Sequence, residues 1–157
     1  MESRIETLAP KKLIGLSMEM SLVENRTGEL WGSFMPRRAE VDNRMSTDFI
    51  SMQQYDHSKG DIFSPTTVFT KWAVVEVSSL DLVPEGMDTY DLACGLYVVF
   101  VHHGPASAFM KSMSFIYGEW FPESEYELDD REHFEVLPEG YSPVDPEARE
   151  EIWVPIR

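Results

Sequence analysis

Cysteine is nearly absent. Cys94 stands alone, so no internal disulfide can form, and a reduced, cytoplasmic setting is expected. No apolar run approaches the roughly 18 residues that a membrane-crossing helix needs. The mixed-charge start, Met1 to Lys12, lacks the apolar stretch of a signal peptide, so no membrane partner is expected. Cationic side chains are scarce as well: Lys and Arg number 13 against 28 Asp and Glu, a formal charge of −15. Nucleic-acid binding takes cations that neutralise phosphates, so no direct nucleic-acid contact is expected. A negative field instead enriches positively charged solutes, although acidic residues also serve simply to keep a small protein dissolved.

Motifs that announce chemistry are missing too. The chain holds no Walker loop, dinucleotide fingerprint, Gly-x-Ser-x-Gly elbow or His-Glu-x-x-His pair. Adjacent His102 and His103 on a strand point to opposite faces and cannot easily share a metal. Cys94, beside an apolar run, reads as an inert core thiol. No cofactor, metal or nucleophilic catalysis is expected.

What the chain has in quantity is aromatic area. Nine Phe, six Tyr and four Trp make up 12% of 157 residues, with nine Met beside them. Rings supply buried area and faces that attract cations, and Met fills irregular gaps. These residues furnish an ordinary core or the walls of a greasy pocket. Composition is that of one globular domain, residues 1–157, with 43% hydrophobic and 26% charged residues.

The chain is written twice. Lys12–Met20 and Leu92–Val101 both read as strands carrying Gly-Leu, at Gly15-Leu16 and Gly95-Leu96. Trp31-Gly32-Ser33-Phe34-Met35-Pro36 resembles Tyr117-Gly118-Glu119-Trp120-Phe121-Pro122, and Trp72-Ala73-Val74 resembles Trp153-Val154-Pro155. Three matches in the same order, separated by about half the length, define pseudo-repeats near 10–80 and 90–157. Each repeat reads as a strand, a helix stopped by proline, and two strands. The helices are predicted near 27–35 and 106–121, the later strands near 49–55, 68–77, 133–137 and 151–156. Phe109, Met113, Ile116 and Trp120 give the second helix one apolar face. A β-α-β-β unit cannot bury its own faces, so the two must pack together. The fold class is α+β: two pseudo-symmetric β-α-β-β halves, a mainly antiparallel sheet with two main helices, and a cleft between the halves.

Most acidic residues, including Glu123, Glu125, Glu127, Asp129, Asp130, Glu132, Glu147, Glu150 and Glu151, read as solvated. Glu135 is different. In His133-Phe134-Glu135-Val136-Leu137 it faces away from Phe134 and Val136, either toward solvent or into the cleft. In the cleft an unpaired carboxylate is costly unless a ligand brings the countercharge.

The run Ile116–Leu128, the strand His133-Phe134-Glu135-Val136, and Asp145-Pro146 with Glu150–Ile156 resemble the GyrI-like small-molecule-binding domain family, the effector part of AraC-type and multidrug-responsive bacterial regulators. Stand-alone members, among them a cationic-drug binder carried on integron cassettes, are the nearest analogues. The resemblance implies two β-α-β-β halves around an aromatic pocket with a carboxylate at its base for lipophilic cations. It places that acid at Glu135 and the helix-end ring at Trp120. Further liners inferred for the pocket are Tyr97, Tyr55, Trp72, Trp31, Phe34, Met18, Met20, Met52 and Trp153. The regulators carry a DNA-binding segment before this domain that the sequence does not show, so DNA control is expected to need a regulator partner. Oligomeric state stays open, a homodimer included. The resemblance leaves two alternatives: hydrolysis of strained electrophilic natural products with Glu135 as base, and an interaction with gyrase.

Overall fold

A computed structural model describes residues 1–157. Eight strands form one antiparallel sheet: β1 Ser3–Leu8, β2 Lys11–Met20, β3 Phe49–Gln54, β4 Phe69–Val77, β5 Asp88–Leu92, β6 Gly95–His103, β7 His133–Leu137 and β8 Arg149–Pro155. Their order is β1-β6-β8-β7-β3-β4-β2-β5. Helix α1 spans Thr27–Phe34 and tightens into a 3₁₀ turn, Met35–Glu40, at Pro36. Helix α2 spans Phe109–Phe115, widens into a π turn over Ile116–Trp120 and ends at Phe121–Glu123. The π stretch contains Gly118, the weakest helix former of that segment, where the regular ladder is least costly to break.

Both predicted β-α-β-β halves are present, and each gains one strand in front. β1 and β5 escape hydrophobic patterning because they are sheet edges. Only Leu8 in β1 and Leu92 in β5 are buried, and the rest is largely charged or polar, as edges that resist aggregation are.

Connection lengths then shape the sheet. β1 joins β2 through Ala9-Pro10 and β5 joins β6 through Ala93-Cys94, yet each pair lies near opposite ends of the strand order. Such links reach only about 11 Å, so the sheet must roll until its ends meet. The inside of the roll is a helix-free core of Leu8, Leu13, Ile50, Met52, Trp72, Val74, Leu92, Tyr97, Val99, Phe134 and Trp153. On the outside, α1 covers Ile14, Met20, Phe49, Ala73 and Val75, and the α2 helix covers Val98, Phe100, Ile152 and Val154. Gly15 has a steric reason to lack a side chain: a Cβ there would collide with the Ala73 carbonyl and sit 2.8 Å from the Val74 Cα. Cys94 is not a core thiol. It is exposed in its short connector, beyond the reach of either apolar face.

Candidate functional site

The pairing of β3 with β7 locates an internal two-fold. Phe49 faces Leu137, Ser51 faces Glu135 and Gln53 faces His133, so rotation about the centre exchanges Ser51 with Glu135. One strand further out, Ala73 pairs with Ser51 and Ile152 with Glu135. Two residues along, Lys71 and Glu150 therefore occupy equivalent places. The register differs from the sequence repeat: Trp72 and Trp153 are offset by two positions and are not counterparts. All of these polar residues lie on the outer face, because Ser51, Gln53, Lys71, Glu135 and Glu150 alternate with Ile50, Met52, Trp72, Phe134 and Trp153.

Above this floor lies a cavity of about 630 Å³ between the helices. Thr27, Trp31 and Met35 form one wall, Phe109 the other, and Tyr141 and Pro143 of the β7–β8 loop close the end. Phe49, Ser51, Glu135, Leu137 and Glu150 make the base. The cavity sits on one side of the two-fold only. On the other side the β3–β4 loop fills the equivalent space: Tyr55 packs edge-on to His133, 5.2 Å between centroids, and Phe63 packs on Tyr117 at 4.9 Å.

Glu135 is enclosed by protein and keeps partial exposure through the cavity. Gln53 donates its amide to the carboxylate at 3.2 and 3.4 Å. Burial pushes the Glu135 pKa up; the field of Lys71 pulls the other way without overcoming it. Glu150 is also raised, chiefly by burial, against a hydrogen bond from Tyr141. Lys71 is buried and lowered by desolvation, with both glutamates opposing that shift. Tyr55 and Tyr117 are pushed up first by burial and also by the Glu135 charge, so its field reaches behind the cavity wall. His133 is driven down to about 3 by burial and is neutral.

Of the expected liners, Glu135 and Trp31 line the cavity. Phe34, from α1, packs with Met18 and Met20 in the layer between that helix and the sheet, and Tyr55 packs on Phe69 and His133 on the filled side of the two-fold. Trp120 packs on Phe100 and Tyr126 in the α2 layer. Tyr97, Trp72, Met52 and Trp153 point the opposite way, into the roll, because each is one residue out of phase with an outward-facing neighbour. Glu150 corrects the sequence reading most sharply. Expected to be solvated, it is buried, since it alternates with Glu151 and shares the cavity side with Ile152. Phe49, Phe109 and Tyr141 join the site without having been expected there. Phe49 carries a strand signal; nothing in the sequence folds the 138–148 loop over the site.

The family model for the GyrI-like small molecule binding domain matches residues 1–157. The transcriptional regulator BrlR of Pseudomonas aeruginosa is 27% identical over 160 residues, covering 99% of this chain and 56% of that protein. The chain thus spans just over half of this regulator. The structure of SAV2435 bound to tetraphenylphosphonium superposes with a TM-score of 0.72 at 15% identity, covering 100% of this chain and 94% of that one. A Vibrio cholerae integron cassette protein gives 0.70 at 15% identity, covering 99% and 95%. No helix is long and apolar enough to cross a membrane.

Proposed function

The chain belongs to the GyrI-like small-molecule-binding domain family, and from that premise we propose that its cavity captures lipophilic, aromatic monocations. The observation that carries the reading is the Glu135 carboxylate. It stands at the base of an aromatic-walled cavity with a neutral amide as its hydrogen-bond donor and no cation in salt-bridge contact. A buried charge without a countercharge is costly, and a guest bearing delocalised positive charge supplies one. Trp31, edge-on to Phe34 and Phe49 at 5.9 and 6.1 Å, offers a fixed ring to the same guest. That a protein of this fold was solved with tetraphenylphosphonium supports the class of ligand. The regulator relative makes a sensor role the natural use of such capture, with the DNA contact supplied elsewhere.

The test is a fluorescence or calorimetric titration with tetraphenylphosphonium, with triphenylphosphine oxide as the neutral counterpart, from pH 8 down to 5. The cation should bind more tightly and the neutral compound should show a flat profile. Cation affinity should be full where Glu135 is ionised and should fall toward tenfold per unit as pH drops through its raised pKa. That fall begins above the ordinary carboxylate value of 4.5. Protonation of Glu150, which burial also favours, acts in the same direction. Equal affinity for both compounds, or parallel pH profiles, refutes the reading.

Trp31→Ala should weaken the cation about tenfold, the scale of one desolvated cation–π contact plus lost area. A change below twofold would remove Trp31 from the binding wall.

A further inference from the structure

The binding reading uses one carboxylate, and the cavity has two. Glu150 lines it beside Glu135, while none of the lining residues is Lys, Arg or His. Glu135 pairs across the strands with Ile152, so Glu150, two residues along β8, is its diagonal neighbour on the same face. Such neighbours stand roughly 7–8 Å apart at the backbone. Burial raises the Glu135 pKa and the charge of Glu150 adds to it, so the two acids meet in one poorly hydrated space. The donors they have are neutral: the Gln53 amide for Glu135 and the Tyr141 hydroxyl for Glu150. His102, opposite Glu150 on β6, has both ring nitrogens engaged elsewhere, by the Ser112 hydroxyl at 2.7 Å and the Pro105 carbonyl at 3.3 Å, and a neutral ring completes both bonds. Lys71 lies across the two-fold and does not line the cavity.

We infer that Glu150 is a second recognition acid, so that the cavity holds an aromatic guest with two positive centres more tightly than a singly charged guest of the same shape. This rests on the cation-capture reading and extends it. A monocation neutralises Glu135 and leaves Glu150 buried without a countercharge, which is costly. A second positive centre, set about one strand diagonal from the first, removes both that cost and the repulsion between the acids. In a medium of intermediate dielectric these effects persist over several ångströms, where water would screen them. A Glu150 kept only to anchor the β7–β8 loop through Tyr141 would give none of this, and glutamine would accept the same hydrogen bond.

The 4,4′-bipyridine series separates these cases, since the parent, its N-methyl and its N,N′-dimethyl forms carry zero, one and two charges on nearly one shape. Binding of the three is measured at pH 8 in about 0.15 M salt, which screens the overall negative charge of the protein. The wild type is compared with Glu150→Gln and Glu147→Gln, each checked for a cooperative melt. Glu147→Gln removes the same formal charge from an exposed position that does not line the cavity. The wild type should gain affinity at the first charge and about tenfold or more again at the second. Glu150→Gln should keep the first gain and bind the two cations within about threefold of each other, and Glu147→Gln should keep both gains. A second gain that survives in folded Glu150→Gln, or that disappears equally in Glu147→Gln, overturns the role of Glu150 and leaves cation capture standing. A wild-type protein that does not prefer the singly charged to the neutral compound overturns cation capture itself. The wild type is decisive even without a variant: no gain at the second charge defeats the inference.

Discussion

Glu135→Gln should lower affinity for tetraphenylphosphonium about a hundredfold while changing triphenylphosphine oxide by less than about threefold. The substitution keeps the shape and can still accept from Gln53, so what disappears is the charge. Losing one partner of a desolvated charge pair costs about 2–5 kcal/mol, and about 1.4 kcal/mol is tenfold. A loss of about 2.8 kcal/mol, in the lower part of that range, is expected because the charge on a phosphonium is spread over its rings. The same variant should unfold at a higher temperature than the wild type. A carboxylate whose pKa is raised by folding destabilises the native state where it is ionised, so the gain belongs to neutral pH and vanishes as pH falls below the raised value. Equal losses for both ligands would show that residue 135 shapes the cavity without selecting charge. A lowered melting temperature would show that the carboxylate is structurally satisfied and needs no guest.

Period-two alternation makes the essential part of this site legible in the sequence. It sets Glu135 against Phe134 and Val136, and the aromatic helix motif puts Trp31 beside it. The same rule, applied to β8, turns Glu150 to the side of Ile152, but a crowd of neighbouring acids hides it. The two tryptophans, Trp72 and Trp153, mislead for a different reason. Their resemblance suggests counterparts at a shared pocket, whereas the sheet rolls, and a rolled sheet has a second buried face for large rings to fill. That roll depends on β1 and β5, whose polar edge sequences give no periodic signal, and on two-residue links whose meaning emerges only with the strand order. Lys71 is unreadable for a related reason. A lysine between Thr70 and Trp72 looks like an outward residue on a half-exposed strand until both faces of that strand prove to be covered.

The second large effect lies one residue from Glu135. Phe134→Ala should destabilise the protein by about 3–5 kcal/mol, the range for removing a fully enclosed ring. At about 2–4 °C per kcal/mol for a chain of this size, the melting temperature should drop by about 10 °C or more. Phe134 is wholly buried, stacked on Trp153 at 5.1 Å and edge-on to Tyr97 at 5.3 Å. It sits on a central strand and faces the inside of the roll, where no helix residue is present to collapse into the void. Trp120→Ala removes a larger ring from the half-exposed α2 layer and should cost well under half as much, because solvent and mobile side chains refill that space. The Phe134→Ala protein that remains folded should keep tetraphenylphosphonium affinity within about threefold, since the deleted ring faces away from the cavity. Neighbouring residues thus have reciprocal consequences: position 135 governs the guest and position 134 governs the fold. A loss of stability below about 1 kcal/mol for Phe134→Ala in denaturant titration would mean that the inside of the roll is not a packed core. The placement of Glu135 on the opposite face, which follows from that packing, would fall with it.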